Sequence, residues 1–132
     1  MKIRVPKQLI ESILINLQPF LEKKDASQIT SHVYIEAKNN HCTIKATDSE
    51  IGLLITTKNI IIEHEGTITT NGKKLLEIIR ILKDEEIVLE ELSDNLHIKQ
   101  YKSKFKLPIF NFQNFPTFPL LENKSQISLE TL

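Results

Sequence analysis

Two stretches of this chain carry the helical period, and each is preceded by one strand-like segment and followed by a run of strands, which restricts the fold more than any other feature. In the first half, residues 2–5 alternate as a short strand does, and Pro6 stands where a helix can begin without losing a hydrogen bond. Leu9, Ile10, Ile13, Leu14 and Leu17 form the apolar stripe of a helix that Pro19 is expected to end. Residues 22–27, charged and aperiodic, read as a solvated loop. Residues 32–36, a polar turn at Asn39-Asn40 and residues 43–47 then predict a hairpin, with further strand segments at 51–57 and 60–63. The second half repeats the plan with a strand at 67–70, a capping Asn71, a helix over 72–82, and strands near 87–91, 96–100 and 103–108. Strand, helix and three strands, twice, predict two units about a local pseudo-twofold, with both helices on one face of a shared antiparallel sheet. The class is α+β. The repeat lies in element order alone, because the halves share negligible residue identity.

Composition removes most other classes of function. A chain of 132 residues has room for one ordinary core, and 40% hydrophobic with 26% charged residues excludes intrinsic disorder. Its apolar runs fall far short of the ~20 residues of a membrane helix. The start, Met1-Lys2-Ile3-Arg4-Val5, lacks the apolar centre of a signal peptide, so the expected location is cytoplasmic, with no membrane partner. Cys42 is the single cysteine, which rules out an internal disulfide and a thiolate-rich metal site and makes it a core candidate. Seventeen basic residues balance seventeen acidic ones, so any contact with nucleic acid must come from local arrangement. Three glycines cannot write a P-loop or a dinucleotide fingerprint, and the four histidines form no metal-binding pair at helical spacing. Asp48 and Glu50 share one face of a strand, but no third group is evident to tune them as an acid pair. The expectation is a protein that is not an enzyme, with no catalytic residue, no metal and no cofactor.

On the second helix, Leu75, Leu76, Ile79 and Leu82 face the core with Ile78 and Ile81 on the shoulders, leaving Lys73, Lys74, Glu77, Arg80 and Lys83 outside. Lys73 and Arg80 project on nearly the same side, with Glu77 at ion-pair spacing between them. On pattern alone this is a solvated helical face. In the last strand, Lys102, Lys104 and Lys106 alternate with Tyr101, Ser103, Phe105 and Leu107, a pattern that edge strands use to prevent unwanted pairing. Phe105, Phe110, Phe112, Phe115 and Phe118 crowd the same end. Pro108, Pro116 and Pro119 break that segment, which favours packing over the sheet edge above a base-stacking platform.

Several of these segments together resemble the bacterial DNA polymerase III beta subunit, the sliding clamp, in its amino-terminal domain. They are the opening Met1-Lys2-Ile3 strand with its helix, Thr47-Asp48-Ser49-Glu50-Ile51, residues 73–80 (Lys-Lys-Leu-Leu-Glu-Ile-Ile-Arg), and Phe105-Lys106-Leu107 followed by Phe115-Pro116. The resemblance implies three such domains per chain and two chains closed into a ring around duplex DNA. The ring tethers a replicative polymerase, is placed by a clamp loader, and uses no cofactor. It implies that Lys73 and Arg80 face DNA and that Lys24 reaches the backbone from a loop. It further implies a homodimer seam along the last strand, where Phe105 and Leu107 are apolar contacts and Lys74, Lys102 and Lys104 face acidic groups. Thr47 and Asp48 would shape a turn. This chain departs from the family at residues 24–29, which lack the usual proline and carry lysine in place of arginine; a phosphate contact survives that change better than a bidentate one. Residues 1–121 correspond to the first domain, and residues 122–132 to a tail and the opening strand of a second. The family's peptide-binding cleft, between its second and third domains, maps to no residue here. The alternative is a stand-alone protein-interaction domain that keeps the clamp fold without a ring.

Overall fold

The computed structural model describes residues 1–21, 32–47 and 52–110. Their elements run β1 (Lys2–Pro6), α1 (Lys7–Leu21), β2 (His32–Lys38), β3 (His41–Thr47), β4 (Gly52–Thr57), β5 (Ile61–His64), β6 (Gly66–Asn71), α2 (Gly72–Ile81), β7 (Glu86–Leu92), β8 (Asn95–Gln100) and β9 (Ser103–Phe110). The expected strand, helix and three strands recur twice, with β5 as an additional short strand between the units. All pairings are antiparallel, in the order β4-β3-β2-β6-β9-β8-β7-β1-β5.

That order shows how the units are joined. Each opening strand sits in the other unit's half of the sheet: β1 pairs with β7 from Lys2↔Glu90 to Pro6↔Glu86, and β6 pairs with β2 from His32↔Asn71 to Ala37↔Gly66. Neither half can bury its apolar face alone. Alternate strand residues, among them Ile3, Val5, Val33, Ile35, Ile44, Ile68, Ile87, Leu89, Leu96 and Ile98, point into one core. They meet Ile10, Ile13, Leu14 and Leu17 of α1 and Leu75, Leu76 and Ile79 of α2 there. At roughly 1.5–3 kcal/mol for each fully buried branched side chain, this core is the dominant stabilising term.

The helices lie side by side and antiparallel on the core face of the sheet. Leu21, at the end of α1, packs against the start of α2, where a Cβ added at Gly72 would stand 2.8 Å from Leu21 Cδ2. At the opposite end, Lys7 Nζ donates to Leu82 O across 2.6 Å. A side chain at position 72 would wedge the helices apart, so glycine is required there for close approach.

Helix α1 does not stop at Pro19, as its sequence predicts, but continues to Leu21. The proline lies in the last turn and removes a single donor, and an internal proline costs about 3 kcal/mol. Burial of Leu21, only 2% exposed, returns roughly 1.5–3 kcal/mol and holds that turn in place. The predicted hairpin turn has Asn39 and Asn40 at φ 53° and 64°, and Ser93-Asp94 repeats the arrangement at 49° and 63°. Both are two-residue connections whose twist matches the flanking strands.

Candidate nucleic-acid interface

Helix α2 begins where the sequence places it. Asn71 Oδ1 accepts from Lys74 N across 2.9 Å, satisfying one of the free amides of the first turn. From that start the apolar stripe fixes the rotation of the helix: Leu75, Leu76 and Ile79 are buried, Leu82 caps the end, and Lys73, Lys74, Glu77 and Arg80 are exposed.

Lys73 and Arg80 line a shallow cleft between the two helices with Leu76 and Glu77 of α2 and Gln18 and Leu21 of α1. Its volume is about 40 Å³. That space is ample for a phosphate oxygen or a water. The pairing expected of Glu77 with its cationic neighbours does not form: no ion pair or hydrogen bond joins the side chains of Lys73, Glu77 or Arg80 to another described residue. The charges of α2 are therefore open to an external anion.

Several cations on the other side of the sheet are paired. On the outer face of the sheet, Arg4 donates to Glu63 at 3.0 Å and Glu86 at 3.3 Å, Lys2 meets Glu63 at 3.3 Å, and Lys99 meets Glu90 at 2.8 Å. The hydrogen bond from Arg4 holds the Glu63 carboxyl below its ordinary value, and Lys99 does the same for Glu90. These pairs are largely solvated and contribute little to stability; Lys104 and Lys106, which alternate with the inward Phe105 and Leu107 in the strand at 103–110, have no ion pair among the described residues. Cys42 is a core residue, its thiol pushed up to about 12 chiefly by burial and further by nearby Glu36, so it is no nucleophile at neutral pH. Among the described residues no group of histidine, cysteine, aspartate and glutamate side chains could hold a metal ion. No described helix is long and apolar enough to cross a membrane.

The second group of expected site residues follows β9. Leu107 is buried, Phe105 is half-buried against the core, and Lys104 and Lys106 are exposed. Lys102 is not in the strand; it lies in the turn before it, next to Tyr101 at φ 52°. The strand also runs through Pro108 to Phe110, where the sequence predicts a break. In an antiparallel strand the N–H and C=O of one residue face the same edge. Ile109 N bonds Asp94 O beside β8, so the backbone groups of Lys104 and Lys106 face the other way. On that side β6 reaches only Ile109 and Phe110, with Thr70 Oγ1 donating to Pro108 O at 2.9 Å. Pro108 thus stands where a donor is not needed, and among the described residues the edge at Lys104 and Lys106 has no strand partner. At its foot Ile81, 69% exposed, and Tyr101, 77% exposed, line a cleft of about 360 Å³ with Leu82, Lys83, Gln100, Lys102 and Ser103. Sequence reasoning passed over this apolar pair. The available signal was Ile81, an isoleucine standing off the buried stripe. Lys24, Asp48 and Glu50, and Phe112, Phe115 and Phe118, lie outside the described residues.

A family model described as DNA polymerase III beta subunit, N-terminal domain, matches residues 1–119. The chain belongs to this family. The beta sliding clamp of Helicobacter pylori strain J99 is 49% identical over 130 residues, covering 98% of this chain and 34% of the relative. The structure of the Helicobacter pylori beta clamp bound to a DNA ligase peptide superposes with a TM-score of 0.84, over 92% of this chain and 33% of that one. The DNA polymerase sliding clamp of Caulobacter crescentus, at 25% identity, still reaches 0.83 over 90% of this chain and 33% of that one. This chain therefore spans about a third of the length of the clamps it matches.

Proposed function

We propose that this chain acts as the first domain of a processivity factor, a sliding clamp that encircles duplex DNA and tethers the replicative polymerase without catalysing a reaction. The observation that carries this is the pair of antiparallel helices on one face of the sheet, with the cations of α2 unpaired beside the cleft between them. A ring that slides must hold phosphates without reading sequence, and contacts of this kind position the protein while carrying no base information. Lys73 and Arg80 are the DNA-facing residues in this domain, with Lys24 added from its loop. In this reading residues 1–121 form the domain and residues 122–132 lead into a second.

The complete protein closes as a homodimer along the open edge of β9. Phe105 and Leu107 supply apolar contacts, Lys74, Lys102 and Lys104 meet acidic groups of the other copy, and Ile81 and Tyr101 extend the apolar part of the seam. The polymerase and the clamp loader are partners of the complete, cytoplasmic protein.

The test of the DNA face is the salt dependence of duplex retention by the full-length protein. Replacing Lys24, Lys73 and Arg80 together is expected to weaken retention and to flatten the slope by up to about three phosphate-equivalents. An unchanged slope contradicts the assignment. For the seam, K74E with K104E is expected to shift the full-length protein toward monomer in sedimentation. A parent protein that is itself monomeric would favour the ringless interaction domain.

A further inference from the structure

We infer that Lys7 is a positioning residue for the nucleic-acid face: by occupying the carboxyl end of α2, it keeps the Arg80 guanidinium available to phosphate. The inference rests on the reading of Arg80 as a phosphate contact and adds a residue from the other helix to it.

A helix ends with carbonyls that lack partners and with a partial negative charge, and an arginine in the last turn can fold back to bond those carbonyls. Arg80 is the basic residue of the last turn of α2. Its side chain is nevertheless exposed and has no hydrogen bond or ion pair with a described residue. Several acceptors at that end are already engaged. Lys7 Nζ donates to Leu82 O across 2.6 Å and to Arg80 O across 3.3 Å. Gln100 Nε2 holds Lys83 O at 2.8 Å, and Leu82 N closes onto Ile79 O at 3.2 Å. Lys7 is itself fixed, since its backbone N bonds Glu85 O at 3.2 Å.

Two effects follow from this one ammonium. It occupies two internal acceptors, Arg80 O and Leu82 O, that would otherwise compete for the guanidinium. It also cancels the negative end of the α2 dipole, which would otherwise oppose a phosphate approaching the same turn. The antiparallel packing of the helices is what brings the start of α1 to the end of α2, so the arrangement belongs to the pair and not to α2 alone.

The experiment compares K7M, K7R, R80M and the K7M/R80M double variant in the full-length protein, reading duplex affinity across a salt series. K7M and R80M are each expected to lower the slope by about 0.9, one phosphate-equivalent. The double variant should fall no further than R80M, and K7R should restore the parent slope. A double variant that loses two equivalents would make Lys7 an independent phosphate contact and overturn the inference. So would a K7M variant that melts earlier with its slope intact, which is the mark of a cap that serves stability alone. A second readout needs no DNA. The Arg80 ¹⁵Nε–H resonance should exchange rapidly in the parent and become protected in K7M, as the guanidinium turns onto the freed carbonyls. An Arg80 resonance unchanged by K7M defeats the inference while leaving the DNA reading in place, whereas R80M without effect on the slope defeats both.

Discussion

The two helices occupy equivalent places in the repeated unit and lie against each other, yet their outward faces are unlike. Helix α1 presents Gln8, Ser12, Ile15, Asn16 and Pro19, and its polar groups turn inward on their own backbone or onto neighbouring structure. Ser12 Oγ bonds Leu9 O at 3.1 Å, Asn16 Nδ2 bonds Ser12 O at 3.0 Å, and Gln8 Nε2 bonds Asp84 Oδ2 at 2.7 Å. Its one lysine, Lys7, caps the other helix. Helix α2 presents Lys73 and Arg80 unpaired. The fold requires a buried stripe from each helix and asks nothing of the opposite arc. A self-satisfied arc on α1 beside an unsatisfied cationic arc on α2 therefore supports the proposal that α2 is the side that meets an external anion.

The largest effects should come from what the helices share. Leu14→Ala in α1 and Ile79→Ala in α2 are each expected to destabilise the chain by about 2–5 kcal/mol in urea unfolding, as full burial dictates. A loss confined to one helix would mean that the core is not common to both. Gly72→Val should cost less, about 1–3 kcal/mol, by forcing a side chain against Leu21 and Val33. Its effect should reach the proposed DNA face as well, because the cleft between the helices would widen.

Next in size is a dependence on pH. His32 is buried, stacks on Phe110 with ring centroids 4.1 Å apart, and has no partner for Nδ1 among the described residues. Burial lowers its proton affinity below the ordinary value of 6.5. The unfolded chain thus takes up a proton first as pH falls, so the contribution of neutral His32 is complete above that value and is lost on descending through the lower folded one. Denaturation measured on either side of the ordinary histidine value should show the loss, and His32→Phe should abolish it. Glu63 and Glu90, whose folded values are lowered, contribute above the ordinary glutamate value of 4.5 and lose that contribution as pH falls further, in a separate window. The smallest effect is expected on the outer arcs. Lys73→Met and Arg80→Met should change stability by no more than about 0.5 kcal/mol, as exposed substitutions do. A large loss there would mean that the arc of α2 serves the fold.

Much of this was legible in local signals. Asn71 followed by Leu75, Leu76, Ile79 and Leu82 defines the start and rotation of α2, and period two gives the inward face of nearly every strand. The exchange of β1 and β6 between the halves was not, because element order fixes a plan without naming strand partners. Helix α1 outran Pro19 because the deciding contact, Leu21 with Gly72, joins residues far apart in sequence. Lys102 fell into the turn because alternation continues unbroken through Tyr101-Lys102 in the sequence, while Tyr101 adopts a positive φ that a tyrosine does not advertise. The cap supplied by Lys7 is equally silent, since its acceptor is a backbone carbonyl of Leu82.

The claim on which the account depends is that duplex DNA lies against the α2 face and not against the outer face of the sheet. Photocrosslinking from single replacements at Lys73 on α2 and at Lys45 on β3, in full-length protein loaded on duplex DNA, tests it directly. Crosslinks to the duplex from position 73 and none from position 45 are the expected result; equal crosslinking from both, or crosslinking from position 45 alone, would contradict it.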